Sequence, residues 1–221
     1  MDTCIYQVFY SESTKREIDP ESLPFDNSTP KNPLLYEYGV IKELYEGKAF
    51  ANVKLNGVLS WKFRRKTGWR VRELKDYCSR LSDTDIVTLN PFPELWQDNL
   101  NVWEQGERFC PGLIELAKDI YREADLDPDV LSTRMSIKDI CYCNYWLANK
   151  KFLDLYYLYT TRVFHAAVNS EDLKERLFNG QQFRGAPMFP YLFERLFSTV
   201  LILYGNSFNI TRLTPKDIQP E

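Results

Sequence analysis

Short apolar runs that alternate with longer amphipathic segments are the feature that most constrains how this chain can fold. The runs have strand length and alternating or continuous apolar character, and most end in polar or proline-rich turns. Asn56-Gly57 is a hairpin signal inside the second run, so that run predicts either one strand or a hairpin. The predicted strands are residues 4–10, 53–63, 86–89 and 140–147.

Helical periodicity fills the intervals between these strands. Residues 19–33, with four prolines, predict a loop rather than a helix or strand. The last amphipathic segment, Tyr191 to Tyr204, is apolar around nearly its whole circumference, so we expect it to be deeply buried against the sheet. The predicted helices begin near Pro33, Arg70, Pro111, Phe152 and Tyr191.

Strands separated by helices in this order predict an α/β fold with a mainly parallel central sheet covered by helices on both faces. In such folds ligands bind beyond the carboxyl ends of the strands. The chain has 221 residues and no linker-like or repeated segment, which predicts a single domain over residues 1–221.

The charge balance and the aromatic content limit the class of ligand that this chain can be expected to bind. A net charge of −3 speaks against a protein that coats nucleic acid, so we expect no nucleic-acid partner. Aromatic residues make up 15% of the chain, and their rings either fill a core or stack on the apolar face of a sugar.

The cysteines and the N-terminus indicate a reducing compartment. The five cysteines are odd in number and irregularly spaced, which predicts free thiols and no zinc site. The N-terminal apolar run is too short and too polar for a signal peptide or a spanning helix. We therefore expect a cytoplasmic protein without an integral membrane segment.

Common catalytic and nucleotide-binding motifs are missing from the sequence. Neither the GxGxxG nor the GxxxxGK[ST] phosphate loop occurs, and no GxSxG elbow occurs. The single histidine, His165, would have to serve any Ser-His-Asp or Cys-His mechanism, and we expect it to be structural.

Asp83-Thr84-Asp85 has the spacing of the DxD motif that holds Mn²⁺ or Mg²⁺ with a nucleotide diphosphate. Here the apolar strand follows the acidic pair instead of delivering it, so the two carboxylates are expected to cap a turn. The sequence leaves the cofactor undefined.

A basic segment follows the second predicted strand and is the best anion-binding candidate. Lys62, Arg64 and Lys66 stand where the strand ends, and Trp61 beside them could stack on a base or a sugar. A solvated surface loop is the alternative interpretation.

Six segments follow one another along the chain in a recognisable order: "LYEYGVIKELYE", "VKLNGVLSWKFRRKTG", "DIVTLNPFP", "NVWEQGERFCPGL", "CNYWLANKKFLDLY" and "YLFERLFSTVLIL". This order resembles a family of bacterial glycosyltransferase-like proteins encoded with polysaccharide biosynthesis enzymes. It is also similar, more distantly, to capsule and O-antigen glycosyltransferases. The resemblance covers residues from about 4 to 204.

The resemblance implies a GT-A-like domain that transfers a sugar from a nucleotide sugar to a saccharide acceptor. It implies Glu37 and Glu194 as the candidate catalytic carboxylates. Cys110 stands where the family pattern has His, which puts activity or specificity in question if that position touches substrate. With the basic segment and the strand ends included, the predicted binding residues are Tyr10, Ser60, Trp61, Lys62, Arg64, Lys66, Asn90, Gln105, Asn144, Tyr145 and Arg195.

Two other classes of function stay open at this point. A non-catalytic carbohydrate-binding or scaffold subunit of a polysaccharide assembly system would keep the aromatic surface but bind no nucleotide. A methyltransferase or phosphotransferase is disfavoured by the missing glycine-rich loop. The sequence defines neither the sugar, the linkage nor the oligomeric state.

Overall fold

The computed structural model describes residues 3–50, 52–179 and 185–216. Within them, the strands are β1 (Thr3–Phe9), β2 (Leu23–Asp26), β3 (Leu55–Ser60), β4 (Ile86–Leu89), β5 (Trp146–Ala148) and β6 (Ile210–Leu213). The α-helices are α1 (Glu12–Lys15), α2 (Tyr36–Glu46), α3 (Phe63–Thr67), α4 (Val71–Cys78), α5 (Val102–Phe109), α6 (Leu113–Glu123), α7 (Lys150–Asn169), α8 (Glu171–Asn179) and α9 (Met188–Tyr204). Short 3-10 helices cover Pro33–Leu35, Pro93–Trp96, Pro128–Ser132 and Gly205–Ser207.

The chain divides into two compact units. The first is formed by the described parts of Met1–Pro91, Cys143–Asp154 and Gly205–Glu221, and the second by those of Phe92–Tyr142 and Leu155–Tyr204. The assignment of residues 1–221 to one domain stays a prediction.

A six-stranded sheet with the order β2-β1-β3-β5-β4-β6 forms the centre of the first unit. β1 is parallel to both β2 and β3, and β4 is parallel to β6. β5 runs antiparallel to β3 and β4. The other strands therefore share one direction, and their carboxyl ends lie at one edge of the sheet together with the amino end of β5.

Helices cover both faces of this sheet within the first unit. On one face Ile5 and Leu59 pack in a buried cluster with Phe63 of α3 and Leu74 of α4. On the other face Val8 packs with residues of α2. The predicted α/β architecture, with a mainly parallel sheet between helices, is confirmed.

Strand β2 lies in a segment that the sequence predicted to be a loop, and that prediction was wrong. Leu23 to Asp26 pairs in parallel with Tyr6 to Phe9 at the edge of the sheet. Pro24 is compatible with this position because an edge strand leaves one row of backbone groups unpaired.

The hairpin alternative for residues 53–63 was also wrong, because β3 runs straight through Asn56-Gly57. A Cβ atom on Gly57 would lie 2.2 Å from Cδ2 of Leu147 and 2.8 Å from the carbonyl oxygen of Trp146. The glycine thus serves the close approach of β5 rather than a turn. Residues beyond Lys62, predicted as the end of a strand, begin helix α3.

Only the end of the predicted strand 140–147 is a strand, since β5 begins at Trp146. Cys143 and Asn144 both have left-handed backbone conformations, with φ of 66° and 52°. Two such residues in succession cannot continue a strand, so the chain turns immediately before β5.

In the second unit, α9 is buried along most of its length, which confirms the expected burial of the last helix. Its place against the sheet stays a prediction. Thr199 accepts a 3.0 Å hydrogen bond from the indole Nε1 of Trp103, and the Tyr159 hydroxyl donates to that of Tyr121 at 2.9 Å. Among the residues that the structure describes, no helix is both long and apolar enough to cross a membrane.

Candidate functional site

The carboxyl edge of the sheet gathers many of the predicted site residues. Tyr10 follows β1, Ser60 ends β3, Asn90 follows β4 and Tyr145 precedes β5. The parallel register of β1 and β3, together with the reversed direction of β5, brings these positions to the same edge. The chemistry of this edge can therefore be built residue by residue.

Tyr10 and Glu37 form a hydrogen-bonded pair at this edge. The Tyr10 hydroxyl donates to Oε1 of Glu37 at 3.0 Å, and Glu37 lies in the first turn of α2. Burial raises the pKa of Tyr10 well above its ordinary value, and the charge of Glu37 raises it further. The phenol therefore keeps its proton at neutral pH and holds one carboxylate oxygen in place.

Ser60 and Tyr145 form a second pair. Their hydroxyl oxygens are 2.8 Å apart, and either hydroxyl can be the donor. The Tyr145 ring packs edge-on against Phe63, and Nζ of Lys66 lies 6.0 Å from the centroid of the same ring. The ring is thus fixed between the sheet and α3.

The basic segment forms α3 and the residue before it. Nζ of Lys62 lies 5.1 Å from the ring centroid of Trp61, and the guanidinium carbon of Arg65 lies 5.3 Å from it. Arg65 also forms an ion pair with Glu17. Lys62 and Arg64 are exposed. Cations therefore stand at the end of β3, as predicted.

Cys143 contacts the basic segment, and sequence reasoning missed this residue. Its sulfur accepts a 3.1 Å hydrogen bond from Nζ of Lys66, so the half-buried ammonium points to the turn before β5. The next residue, Asn144, has a buried Oδ1 with no hydrogen-bond partner among the described residues. The spacing of Cys143 to other residues carried no signal, because the contact depends on the left-handed turn.

Gln105, Glu194 and Arg195 lie in the second unit and form a cluster there. Arg195 is only 4% exposed. It donates to the backbone oxygens of Val102 at 2.7 Å and Tyr191 at 2.5 Å, and to Oε1 of Gln105 at 2.6 Å. Burial lowers the pKa of Arg195, and the charge of Glu194 acts in the opposite direction. The guanidinium connects α5 to α9.

Gly106 and Cys110 lie beside this cluster and show how tightly it is packed. A Cβ atom on Gly106 would lie 2.2 Å from Nε of Arg195. Cys110, the position at which the family pattern has His, is 2% exposed, and burial raises the pKa of its thiol. An isolated glycine inside a helical pattern was the available signal for this close approach.

The Asp83-Thr84-Asp85 segment leads into the amino end of β4. Asp85 accepts hydrogen bonds from the side-chain amide of Asn149 at 2.5 Å and from the backbone of Asn209 at 2.9 Å. Asp83 accepts one from the side chain of Asn209 at 3.0 Å. These carboxylates tie β4 to the segments beside it, at the edge opposite the pairs described above. The described residues include no group of three or more His, Cys, Asp or Glu side chains that could hold a metal ion.

A solved structure titled as the apo form of WbbM, a bifunctional glycosyltransferase, is similar to this chain. The likeness has a TM-score of 0.55 at 12% sequence identity and covers 99% of this chain and 46% of that one. It confirms the predicted GT-A-like α/β fold, and the chain spans about half the length of the structure it matches. No protein-family model and no curated protein matches the chain.

Proposed function

We propose that this protein is a glycosyltransferase domain that moves a sugar from a nucleotide sugar to a saccharide acceptor. The fold likeness to a glycosyltransferase supports the class of reaction. The convergence of the Tyr10–Glu37 pair, the Ser60–Tyr145 pair and the cations of α3 at one sheet edge carries the proposal.

Glu37 is the proposed general base. In an inverting transfer it would take the proton from the acceptor hydroxyl while that oxygen bonds to the anomeric carbon. The bond between the anomeric carbon and the diphosphate breaks, and its electrons leave with the diphosphate. Tyr10 orients the carboxylate by donating to Oε1, which leaves Oε2 for the acceptor.

Lys62, Arg64 and Lys66 are proposed to offset the charge of the departing diphosphate. Cations fixed before the reaction stabilise developing negative charge without reorganising. The cation–π contact with Trp61 favours keeping the Lys62 charge near the strand end. Ser60, Tyr145, Asn90 and Asn144 offer the hydroxyl and amide groups that a ribose or sugar would bind.

Glu194, in the second unit, is the second candidate carboxylate implied by the family resemblance. It lies next to the buried Arg195, whose pKa its charge raises. Gln105 and Arg195 support a positioning role for this cluster, since their side chains already bond to each other. We propose Glu37 ahead of Glu194 because Glu37 lies at the carboxyl edge of the sheet, where ligands bind in such folds.

A thermal-shift screen tests the donor. Wild-type protein is heated with UDP-, GDP- and dTDP-sugars, each with and without Mn²⁺, because a ligand of the native state raises the unfolding temperature by mass action. We expect stabilisation by at least one nucleotide sugar. A wild-type protein that binds none of them contradicts the proposal and favours the non-catalytic carbohydrate-binding alternative.

Substitution of the proposed base tests the reaction. Glu37→Gln should lower the release of nucleoside diphosphate from the bound donor by roughly 10²- to 10⁴-fold, the usual range for loss of a general base. Donor affinity should stay within about threefold, since Gln keeps the shape of the side chain.

Glu43→Gln is the matched control on the same helix, because the Glu43 carboxylate forms a surface ion pair with the exposed Lys31 at 2.8 Å. It should keep full activity. Glu194→Gln is measured in parallel, and a loss seen in that variant but not in Glu37→Gln would transfer the role of base to Glu194.

A further inference from the structure

A cavity lies in the first unit at the amino edge of the sheet, opposite the carboxyl edge that holds the proposed donor site. Its volume is about 640 Å³. Small-molecule sites commonly enclose about 300–1,000 Å³, so the cavity has room for one or two sugar rings. It is lined by Tyr45, Glu46, Lys48, Phe50, Asn52, Asn56, Lys150, Leu153 and Asp154.

The cavity is separated from the proposed donor site by the length of α2. Glu37 lies in the first turn of this helix at the carboxyl edge, and Tyr45 lies in its last turn at the cavity. The helical rise over the eight steps from Glu37 to Tyr45 is about 12 Å. A ligand in the cavity would therefore occupy a site of its own.

The charges that line the cavity balance. Asp154 accepts hydrogen bonds from Nζ of Lys150 at 2.7 Å and from the Tyr45 hydroxyl at 2.7 Å. Glu46 pairs with Lys42 on the same helix. Because two lysines and two glutamate or aspartate residues line the space, neither an anion nor a cation is favoured.

The remaining lining groups match an uncharged polyol. Phe50 supplies aromatic surface, which packs on the apolar face of a pyranose, and Asn52 supplies an amide for its hydroxyls. The Tyr45 ring adds aromatic surface on one side, since Nζ of Lys150 lies over it at 5.9 Å from its centroid. Phe50 is fixed from behind by an edge-on contact with Tyr6, with ring centroids 6.3 Å apart.

The backbone beside the cavity carries strain. Lys48 has φ of 55°, a left-handed conformation that a glycine normally adopts at a helix end. This residue turns the chain so that the Ala49 amide bonds to the Leu44 carbonyl oxygen at 2.9 Å, and Phe50 follows directly. This helix cap thereby leads the chain to Phe50 at the wall of the cavity.

We propose that this cavity is a second ligand site that binds a neutral saccharide. The inference goes beyond the transferase proposal, because it depends on the walls of the cavity and holds whether or not the protein transfers sugar. Its ligand class is an uncharged hexopyranoside whose ring packs on Tyr45 or Phe50.

Saturation-transfer NMR with simple glycosides tests the site. The probes are the methyl glycosides of glucose, galactose, mannose and N-acetylglucosamine, with those of glucuronic acid and glucosamine as charged counterparts. We expect at least one neutral glycoside to bind and both charged ones to bind more weakly. If no neutral glycoside binds wild-type protein, or if a charged one binds best, the inference is wrong.

Variants locate the binding. Tyr45→Leu and Phe50→Leu should each weaken it about tenfold, which corresponds to about 1.4 kcal/mol, while Tyr45→Phe keeps the ring and should stay within about threefold. Asn52→Trp at an exposed lining position should fill the cavity and abolish binding without removing a core contact.

Two controls separate this inference from the proposed function. Lys62→Ala should leave glycoside binding unchanged, and Asn52→Trp should leave nucleotide-sugar binding unchanged. Phe109→Leu, at a 46% exposed aromatic residue of the second unit, is the matched aromatic control and should bind like wild type. Glycoside binding that survives both Tyr45→Leu and Asn52→Trp would place the ligand elsewhere and overturn the inference.

Discussion

Arg195 and Lys62 are both cations that the sequence resemblance assigns to one binding site, yet the structure gives them different surroundings. Arg195 is buried and donates to two backbone oxygens and one amide oxygen within the second unit. Lys62 is exposed beside Trp61 at the carboxyl edge of the sheet. A buried guanidinium that satisfies neutral acceptors holds helices together, whereas an exposed ammonium at a strand end is available to a ligand.

Arg195→Met should give the largest effect on stability. The substitution removes three hydrogen bonds, a buried one to Val102 and part-buried ones to Tyr191 and Gln105, at a cost of about 1 kcal/mol or more for each. We expect the free energy of unfolding to fall by about 3 kcal/mol or more, measured by urea denaturation. Arg195→Lys keeps the charge but not the planar fork and should lose most of the same stability. An Arg195→Met variant as stable as wild type would remove the distinction between the two cations.

Lys62→Ala and Arg64→Ala should act on binding instead. Each should weaken nucleotide-sugar binding by about 1.5–3 kcal/mol, the range for a hydrogen bond to a charged group. Stability should change by no more than about 0.5 kcal/mol, as is usual for exposed positions. Isothermal titration with wild type and both variants measures the first effect, and urea denaturation measures the second.

Arg65→Ala is the matched control for this pair. Arg65 lies in α3 beside Arg64, and its guanidinium forms an ion pair with Glu17. We expect it to weaken nucleotide-sugar binding by less than either Lys62→Ala or Arg64→Ala. Equal losses in all three variants would mean that the ligand responds only to overall positive charge, and unchanged binding would remove α3 from the site.

Gly106→Ala tests how tightly the buried Arg195 is packed. The added Cβ would lie 2.2 Å from Nε of Arg195 and 2.7 Å from Cδ2 of Leu113, so the guanidinium or the helix must shift. Overpacking of this kind costs about 1–3 kcal/mol of unfolding free energy. The double variant with Arg195→Met should lose less than the sum of the single losses, because the contact with the guanidinium then disappears and only the contact with Leu113 remains. Additive losses would indicate that Gly106 is limited by something other than Arg195.

Lys48→Gly should give the smallest effect, and in the opposite direction. Lys48 adopts a left-handed conformation that costs a residue with a side chain about 1–2 kcal/mol. Glycine removes this cost, but its greater entropy in the unfolded chain offsets part of the gain. We therefore expect the free energy of unfolding to rise by about 0.5–1 kcal/mol, measured by thermal or urea unfolding. Lys48→Ala keeps the strain and should show no gain, which separates the backbone effect from the effect of the charge.

Several elements could be predicted because their signals are local. The alternating run before Ser11 gave β1, and the apolar run Ile86 to Leu89 gave β4 with its observed bounds. Position at a strand end was enough to bring Tyr10, Ser60 and Asn90 to one edge, since parallel strands share their direction.

The sequence-based predictions failed at positions whose structure depends on a segment that is distant in sequence. Pro24 lies in a strand because an edge position next to β1 tolerates it. Gly57 looks like a turn residue until Leu147 is packed against it. Neither neighbour is near in sequence, so no local pattern contains the information.

The sequence by itself determined the α/β class, the mainly parallel sheet and the edge at which ligands are expected. The reason is that the periodicity of each segment and the order of the segments can be read directly from the sequence. Tertiary structure alone decided which cations are buried, which turn precedes β5, and that a cavity opens at the opposite edge of the sheet. The physical reason is that burial, desolvation and the pairing of donors with acceptors depend on groups far apart in sequence. Arg195 and Lys62 are both basic residues, and no local pattern shows that the first is buried and the second exposed.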